Sequence, residues 1–338
     1  MKFCLIGEKL GHSYSKIIHE KQGLDYSLVE VKQGGITEFL SRGYDGFNVT
    51  IPYKKDIIAF LDNVDATAFD IGAVNTVVKK GSMLYGYNTD VFGMEYALKR
   101  AKIDLFNKNV MILGTGGTSL TAKAVCQRAK AKKVVFVSRQ GKVNYQNCYK
   151  QRVDVIINTT PVGMFPNEDQ TPVDLEKFKK IEGVFDCVYN PIRTKLVLQA
   201  EKMGIKCSGG LPMLISQGLK AEEIWLGKEI EKNRYEELLK EVLEEKRNIV
   251  LIGMPSSGKT TVGKQLAKLL NREFIDTDDE IVKKIIMDIP SYFAKFGEAE
   301  FRKVESEVVA EVGKKNGAVI ATGGGAVLKH ENVRNLRQ

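Results

Sequence analysis

The sequence predicts an α/β protein, and three observations support this fold class. Short apolar runs that suit β-strands alternate with amphipathic segments that suit helices along most of the 338 residues. A Gly-rich turn, GTGGTS at 114–119, lies between such a run and a helical segment. A second Gly-rich turn, GMPSSGKT at 253–260, has the same context. Because strand–turn–helix units of this kind hold phosphate groups, we expect two nucleotide sites in one chain.

Composition argues against several classes of protein. The chain is 43% hydrophobic and 28% charged, as expected for a globular protein of two or three domains. No apolar run approaches the ~18 residues of a membrane helix, and the apolar start is too short for a signal peptide, so we expect a cytoplasmic protein. The net charge of +9 comes from Lys and Arg spread along the chain, which indicates a solvated surface and no nucleic-acid face. Five scattered Cys and three His predict free thiols and no zinc site. The sequence leaves open whether the protein forms a homo-oligomer.

The predicted elements fall into three groups. From about 2 to 90, strands of a small α/β layer are predicted by KFCLIG, YSLVEV, GFNVTIP, GAVNTVVKK and MLYGYNT. From 108 to 210, a parallel sheet is predicted by NVMILG, KVVFVS, VDVIINTT and GVFDCVY, which alternate with helices or loops. Two amphipathic helices follow, and the charged stretch 244–247 marks the predicted boundary. Beyond it, three strands of a further α/β unit are predicted by NIVLIG, EFIDT and AVIAT.

The downstream turn is the more specific of the two. It fits the pattern G-x-x-x-x-G-K-[ST], with a strand before it and a helical segment after it. In such a loop the backbone N–H groups hold phosphate oxygens, Lys259 reaches the outer phosphates, and the hydroxyl of Thr260 coordinates Mg²⁺. We therefore expect ATP and Mg²⁺ to bind here. The expected nucleotide contacts are Gly253, Ser256, Ser257, Gly258, Lys259, Thr260 and Thr261.

The upstream turn lacks the last Gly of the dinucleotide fingerprint, so its context decides how it is interpreted. The next strand ends at Ser138 and Arg139, where an NAD site has an Asp or Glu and an NADP site has an Arg. Arg139 therefore favours NADP(H), although a Gly-rich turn without a ligand remains an alternative at this point. The expected cofactor contacts are Gly114, Thr115, Gly116, Gly117, Thr118, Ser138 and Arg139.

Eight motifs occur in the order and spacing of one protein family. They are GHSYSKIIH, GFNVTIPYK, GAVNTVV, GYNTDVFG, GTGGT, INTTPVGM, DCVYNP and GGLPMLISQ. On these motifs, residues 3 to 245 resemble shikimate dehydrogenases. Beyond 247, the segments GMPSSGKTTVGKQLA, FIDTDDEI, FGEAEFRKVE and ATGGGAV are similar to shikimate kinase. The two Gly-rich turns would then serve two successive enzymes, one taking NADPH and the other ATP, on a shared small acid.

The resemblance implies an architecture and a reaction. It predicts an α/β substrate lobe at 1–92, completed by 211–246, and a Rossmann NADP lobe at 93–210. The first part of a P-loop shikimate kinase would occupy 247–338. The implied reaction is the NADP-dependent reduction of 3-dehydroshikimate to shikimate, in the chorismate pathway of aromatic amino acid biosynthesis.

Lys54 and Asp90 are the predicted catalytic pair. Reduction of a ring ketone by hydride leaves an alkoxide, so the site needs a positioned proton donor. The family has a Lys and a neighbouring Asp in this role, and their motifs match Lys54 and Asp90; alone, Lys54 would be interpreted as a solvated surface residue. The resemblance assigns substrate contacts to Ser13, Ser15, Thr50, Asn75, Tyr189 and Gln217, and positions near the nicotinamide to Cys187 and Gly210.

The kinase-like part has its own implied site. Asp276 would bind the metal together with Thr260, and Asp278 could accept the proton of the attacking hydroxyl. The shikimate-binding positions implied there are Asp278, Arg302, Gly323, Gly324 and Gly325. Only 86 residues run from Gly253 to Gln338, and the family's lid and downstream arginines should follow, so we expect no effective kinase activity from these residues. A partial sheet should also expose an edge and an apolar face, and we expect this part to be poorly ordered or to pair with another molecule.

Some features depart from the family pattern. Lys16 and Glu20 stand where Pro and Asn are usual, and only QGKVNYQNCYKQR separates two strands that a longer helical crossover normally joins. The NADP pocket should therefore be more open on that side. Two alternatives remain: a quinate/shikimate dehydrogenase of relaxed specificity, and a nucleotide-binding regulatory protein without turnover.

Overall fold

The computed structural model describes residues 1–11 and 13–337. The chain forms two compact units, Met1–Leu239 and Lys240–Gln338. The first unit contains two β-sheets and the second contains one, which confirms the α/β class. Within the described ranges, no helix combines the length and the apolar character needed to cross a bilayer.

The first sheet of the first unit is mixed. Its strands lie in the order β2-β1-β3-β5-β6-β4, with β1 parallel to β2 and β3, and β5 antiparallel to β3 and β6. Aromatic and aliphatic side chains pack behind it, among them the fully buried Phe39, Tyr53 and Ile57. The elements are β1 Lys2–Gly7, α1 Ser15–Glu20, β2 Asp25–Glu30, α2 Ile36–Leu40, β3 Gly46–Val49, β4 Asn63–Val64, α3 Ala66–Ile71, β5 Thr76–Lys80 and β6 Met83–Tyr87.

The second sheet is fully parallel, as its continuous apolar strands predict. Its order is β11-β10-β9-β7-β8, and its central strands are buried on both faces. The elements are α4 Asp90–Arg100, β7 Asn109–Leu113, α5 Gly117–Arg128, β8 Lys133–Val137, β9 Val155–Asn158, β10 Gly183–Asp186, α6 Lys195–Lys202 and β11 Lys206–Ser208.

The connection from β8 to β9 contains no α-helix. It has one short 3₁₀ turn, Cys148–Lys150, preceded by a turn in which Asn144 and Asn147 hydrogen-bond each other's backbone N–H groups. Cys148 and Val153 fill the space against the sheet that a crossover helix would otherwise cover. The short crossover predicted from QGKVNYQNCYKQR is therefore confirmed.

Two helices follow the second sheet, α7 Leu211–Leu226 and α8 Lys232–Lys246. Pro212 lies in the first turn of α7, and Gly227 ends the helix with a left-handed backbone at φ 64°. Helix α7 packs along α4, and Trp225 Nε1 donates to the carbonyl of Val77 at 2.9 Å, which fixes α7 against β5. The two compact units divide within α8, so the predicted boundary at 247 stays a prediction.

The second unit is a small parallel sheet with helices. Its strand order is β12-β14-β13, which confirms the three predicted strands. The long helix α11 is kinked at Gly297, whose φ of 81° is not helical. The elements are β12 Ile249–Leu251, α9 Lys259–Leu270, β13 Phe274–Asp276, α10 Thr277–Ile285, α11 Ile289–Gly313, β14 Val319–Ala321 and α12 His330–Leu336.

The second unit has a buried core and also exposed apolar side chains. Ile281, Val309 and Ile320 are fully buried in its core. In contrast, Val262 is 54% exposed and Leu269 is 82% exposed. These two lie seven residues apart on α9 and therefore on one helix face, so a strip of this helix presents apolar surface to solvent. Pairing of this strip with another molecule stays a prediction.

Candidate active site

A cleft of about 460 Å³ opens in the first unit, where the carboxyl ends of strands from both sheets meet. Polar residues from the first sheet and from α7 face residues that follow β10. The cleft gathers the predicted catalytic pair, the predicted substrate contacts and three of the predicted cofactor contacts. Those residues are Ser13, Ser15, Thr50, Lys54, Asn75, Asp90, Thr118, Cys187, Tyr189, Gly210 and Gln217.

Lys54 and Asp90 form an ion pair in this cleft. Lys54 Nζ lies 2.6 Å from Asp90 Oδ2, and the two side chains are 18% and 10% exposed. Lys54 follows β3, and its carbonyl accepts a hydrogen bond from the N–H of Val74. Asp90 is the first residue of α4, where the helix dipole favours a negative charge. The pair is thus held at both ends and remains open to the cleft.

Asn75 makes hydrogen bonds with several polar groups next to the Lys54–Asp90 pair. Its Nδ2 lies within hydrogen-bond distance of Asp90 Oδ1 at 2.9 Å, Thr89 Oγ1 at 3.0 Å and Gln217 Oε1 at 3.2 Å. Its Oδ1 accepts from the N–H of Thr89 at 2.7 Å. Because an amide has only two N–H donors, these three acceptors share them. Asn75 therefore fixes the second oxygen of the Asp90 carboxylate.

Ser13 and Tyr189 approach the cleft from opposite sheets. Burial raises the pKa of the Tyr189 hydroxyl, and a hydrogen bond with the Ser13 side chain opposes that rise. The Ser13 Oγ also accepts from the N–H of Ser15 at 3.2 Å. The ring of Tyr14 lies 5.3 Å from that of Tyr189. The hydroxyls of Ser13 and Tyr189 therefore lie together in the cleft, which Ser15 also lines.

Asn48 was missed by the sequence analysis. It lies on β3, lines the cleft and is only 4% exposed. Its Oδ1 accepts from Tyr26 OH at 2.7 Å, and its Nδ2 contacts the carbonyl of Asn75 at 3.3 Å and Thr76 Oγ1 at 3.1 Å. An amide within the otherwise apolar strand GFNV was the available signal, because a buried polar side chain requires partners. Met213 and Leu214, which add apolar lining from α7, had no such signal.

The Gly-rich turn after β7 has the shape of a phosphate cradle. Gly114 has φ 102°, and a Cβ there would lie 2.9 Å from Thr159 Oγ1 and from Thr160 Cγ2. At Gly116 and Gly117 a Cβ would meet nothing within 4 Å, so there is open space over the N-terminus of α5. Open space, a close backbone approach and a helix N-terminus together fit a dinucleotide diphosphate.

Arg139 lies beside this turn, just after β8. The N–H of Gly114 donates to the carbonyl of Val137 at 2.8 Å, so the end of β8 is adjacent to the turn. Arg139 is exposed. Its positive charge also acts on Tyr145: burial raises the pKa of the Tyr145 hydroxyl, and the guanidinium of Arg139 opposes that rise. An exposed guanidinium at this strand end fits a 2′-phosphate. Thr115 and Thr118 flank Gly116 and Gly117 in the turn, and Ser138 directly precedes Arg139.

Cys187 and Gly210 pack tightly against each other where the cleft meets the second sheet. A Cβ at Gly210 would overlap the carbonyl of Cys187, so only Gly fits this approach. Burial raises the pKa of the Cys187 thiol well above its ordinary value, which keeps it neutral. The surface at this end of the cleft is therefore uncharged.

The P-loop of the second unit curves around its own lysine. Gly253, Ser256 and Gly258 have positive φ values of 153°, 61° and 82°. Lys259 Nζ donates to the carbonyls of Gly253 at 3.0 Å and Met254 at 2.7 Å. Ser257 contributes its Oγ at 3.4 Å, and Thr261 follows in the first turn of α9. The carbonyls of the loop therefore hold the Lys259 ammonium at the N-terminus of α9, where a helix end favours phosphate.

Thr260 and Asp276 form the predicted metal position. Thr260 Oγ1 donates to Asp276 Oδ2 at 2.7 Å. The other Asp276 oxygen accepts from the N–H of Asp278 and caps α10. Mg²⁺ prefers oxygen ligands and keeps several of its waters, so a hydroxyl and one carboxylate beside the P-loop fit this ion.

The turn Gly323–Gly325 brings together the remaining predicted positions of the second unit. A Cβ at Gly323 would lie 2.5 Å from Asp278 Oδ1, and a Cβ at Gly325 would overlap the guanidinium of Arg302. Burial raises the pKa of Asp278, and the charges of Asp276 and Glu305 add to that rise. A carboxylate with a raised pKa suits a proton acceptor near neutral pH.

Arg302 is held by two carboxylates of its own helix. Its NH1 donates to both oxygens of Glu305 at 2.9 and 3.0 Å, and its NH2 donates to Glu298 at 3.2 Å. Glu305 is almost fully buried. The pairing fixes the guanidinium beside Gly325. The motif FGEAEFRKVE held a signal that the sequence analysis missed, because Glu298 and Glu305 lie four residues before and three residues after Arg302, the spacings at which helical side chains meet.

Most of the chain is similar to a curated enzyme from Clostridium perfringens named shikimate dehydrogenase (NADP(+)). The two are 41% identical over 265 residues, and the match covers 70% of this chain and 97% of that enzyme. The chain belongs to the shikimate dehydrogenase family. Residues 5–77 match the family model of the shikimate dehydrogenase substrate binding domain.

Solved structures of shikimate dehydrogenases have the same fold. A chorismate mutase/shikimate 5-dehydrogenase fusion protein from Clostridium acetobutylicum is 34% identical, with a TM-score of 0.68, over 71% of this chain and 96% of that chain. Shikimate 5-dehydrogenase from Thermus thermophilus, solved in complex with NADP(H) and shikimate, is 29% identical, with a TM-score of 0.64, over 72% of this chain and 100% of that chain. Residues 255–338 match the family model of shikimate kinase. Both resemblances indicated by the motifs are thereby confirmed.

Proposed function

We propose that the first unit reduces 3-dehydroshikimate to shikimate with NADPH. The observation that carries this proposal is the ion pair of Lys54 and Asp90, 2.6 Å apart, in a cleft lined by hydroxyl and amide groups. Family membership supports the substrate class, and the name of the Clostridium perfringens relative supports NADP.

Lys54 is the proton donor in this proposal. NADPH, when bound, supplies the hydride. The Lys54 ammonium would hydrogen-bond the substrate oxygen and give it a proton as negative charge develops there. Asp90 holds the Lys54 side chain in position, and Asn75 keeps Asp90 in place through its second oxygen. In the reverse direction, the neutral amine accepts the proton of the substrate hydroxyl.

The remaining polar groups would orient the substrate. Hydroxyls of Ser13, Ser15 and Tyr189 form one donor cluster, which suits the carboxylate of a small ring acid. Thr50 and Gln217 also line the cleft and would contact ring hydroxyls. A ring held at both ends presents its carbonyl oxygen to Lys54.

The chain's own residues also fit the cofactor. Gly116 and Gly117 leave room for the diphosphate at the N-terminus of α5, and Arg139 would contact the 2′-phosphate. Cys187 and Gly210 would form a flat, uncharged surface for the nicotinamide end.

We also propose that the second unit binds MgATP and has the site of a shikimate kinase. The observation that favours this is the contact of Thr260 with Asp276 beside the P-loop, together with Asp278 and Arg302 at the turn of glycines. Lys259 would hold the outer phosphates, and Asp278 would accept the proton of the attacking hydroxyl.

Steady-state kinetics of the full chain test the dehydrogenase proposal. Shikimate and quinate are each oxidised with NADP⁺ and with NAD⁺, and the four values of kcat/KM are compared. Preference for shikimate with NADP⁺ supports the proposal. Similar values for quinate support the relaxed-specificity alternative, and nucleotide binding without turnover supports the regulatory one.

A further inference from the structure

A buried histidine and a buried glutamate lie behind the cleft and take no part in the steps above. His19 is in the last turn of α1, and Glu222 is on α7. His19 Nδ1 and Glu222 Oε1 are 2.6 Å apart, with side chains 0% and 2% exposed. Neither residue lines the cleft. Because burying ionisable groups costs stability, such a pair calls for a reason beyond packing.

The imidazole of His19 is packed between Tyr26 and the backbone of α7. It stacks on the ring of Tyr26 with centroids 4.2 Å apart. It also packs on the backbone of α7 at Gly218, where an added Cβ would lie 3.5 Å from His19 Cε1 and 3.6 Å from Nε2. Among the described residues, His19 Nε2 has no hydrogen-bond partner, so Nδ1 makes the only one found for this ring. The bond to Glu222 therefore links α1 directly to α7.

One route leads from His19 to the catalytic pair through α7. Gly218, against which His19 packs, directly follows Gln217. Gln217 Oε1 accepts from Asn75 Nδ2 and from Thr89 Oγ1, each at 3.2 Å. The position of this turn of α7 thus sets where Gln217 Oε1 lies as a hydrogen-bond acceptor for Asn75.

A second route passes through Tyr26. The ring that stacks on His19 carries the hydroxyl that donates to Asn48 Oδ1 at 2.7 Å. Asn48 Nδ2 in turn contacts the carbonyl of Asn75 at 3.3 Å. Both routes end at Asn75, whose Nδ2 holds Asp90 Oδ1 at 2.9 Å.

We propose that His19 and Glu222 are a positioning pair that holds Asn75, and through it Asp90, in the orientation that contacts Lys54. This inference rests on the proposed dehydrogenase function. A merely structural pair would affect stability and leave the Lys54–Asp90 contact unchanged.

Variants of the full chain separate these two roles. His19→Phe keeps the stacking on Tyr26 but leaves Glu222 buried without its partner, so it can fail to fold. The double variant His19→Phe/Glu222→Leu removes both polar groups, a change that often preserves stability. If the pair acts by positioning, the double variant folds and still loses about tenfold or more in kcat for shikimate oxidation, with KM for NADP⁺ within about twofold.

Two further variants sharpen the test. His19→Asn places an amide donor near the position of Nδ1, and it should recover most of the lost kcat. Phe3→Leu is the matched control, because Phe3 stacks on Trp225 in the neighbouring apolar cluster and makes no side-chain hydrogen bond there. It should lower the melting temperature and leave kcat close to that of the wild type.

Coupling to Gln217 provides a third readout. If His19 acts through Gln217, the losses in kcat of His19→Phe/Glu222→Leu and Gln217→Ala do not multiply when all three changes are combined. Independent, multiplying losses would overturn the route through Gln217 and assign the positioning to the route through Tyr26. Wild-type kcat and KM in the double variant would overturn the proposal as a whole.

A crystal structure of the double variant gives a readout that does not require turnover. Lys54 Nζ and Asp90 Oδ2, 2.6 Å apart here, should separate beyond about 3.5 Å, the limit of a hydrogen bond. An unchanged contact would overturn the positioning role even if the wild type proved inactive. A separated contact in a protein without shikimate oxidation would overturn the dehydrogenase proposal and support the positioning role.

Discussion

Asn75 and Asp90 are joined by a hydrogen bond of 2.9 Å from Nδ2 to Oδ1, while Lys54 contacts the other oxygen of the same carboxylate at 2.6 Å. The carboxylate cannot rotate without breaking one of these two bonds. It is also buried, so water competes little for either oxygen. The orientation of the Lys54 ammonium toward the cleft therefore depends on a network, and not on two residues alone.

Replacing Lys54 by Ala should lower kcat for shikimate oxidation by ~10² or more, because the proton acceptor at the reacting oxygen is lost. Binding of NADP⁺, measured by fluorescence titration, should stay nearly unchanged. Lys55→Ala is the matched control, since Lys55 is the exposed neighbour in the same turn. A Lys54→Ala enzyme with wild-type kcat would contradict the assigned role.

Replacing Arg139 by Ala should weaken NADP⁺ binding by roughly 1.5–3 kcal/mol, the range of a hydrogen bond to a charged group. NAD⁺ has no 2′-phosphate, so its affinity should change little. Calorimetric titration of both cofactors measures the difference, and Lys142→Ala, an exposed cation three residues further on, serves as the control. Equal losses for the two cofactors would show that Arg139 does not contact the 2′-phosphate.

Replacing Thr260 by Ala should weaken the binding of ADP about tenfold or more when Mg²⁺ is present, because a ligand of the ion is lost. Without Mg²⁺, the affinity for ADP should change much less. Thr260→Ser keeps the hydroxyl that donates to Asp276 and should behave as the wild type. A loss that does not depend on Mg²⁺ would argue against a metal ligand at this position.

Asp186 should make the stability of the first unit depend on pH. Burial raises the pKa of this carboxyl to about 6, although bonds from Thr194, Val188 and Asn158 oppose the rise. Its pKa in the unfolded chain is near 3.8, so the proton is held more tightly in the folded state. The stabilisation is fully present below pH ~4 and is lost as the pH rises through ~6, a loss of about 3 kcal/mol.

The fluorescence of Trp225, the single tryptophan, reports the unfolding of the first unit by urea. The free energy of unfolding measured at a series of pH values from 4 to 7 should fall more steeply in the wild type than in Asp186→Asn, which cannot titrate. Parallel curves for the two proteins would refute the raised pKa.

Sequence patterns predicted those elements whose geometry is set by residues that are close together in the chain. The P-loop and the turn at Gly114 are strand–turn–helix units, so the backbone geometry that we propose binds phosphate is encoded within about 15 consecutive residues. The continuous apolar runs of the second sheet likewise predicted parallel strands. In contrast, β4 has two residues and β11 has three, and neither is long enough to show an alternation.

The sequence by itself determined the α/β class, and it predicted the two Gly-rich turns and the two residues of the proposed catalytic pair. Only the tertiary structure decided which groups hold that pair: Gln217 reaches Asn75 across 142 residues of sequence, and Glu222 reaches His19 across 203. Periodicity indicates which face of a helix is buried, but it does not name the partner on the other side. A buried polar group takes the donor or acceptor that packing brings within hydrogen-bond distance, and that packing is set by the whole unit.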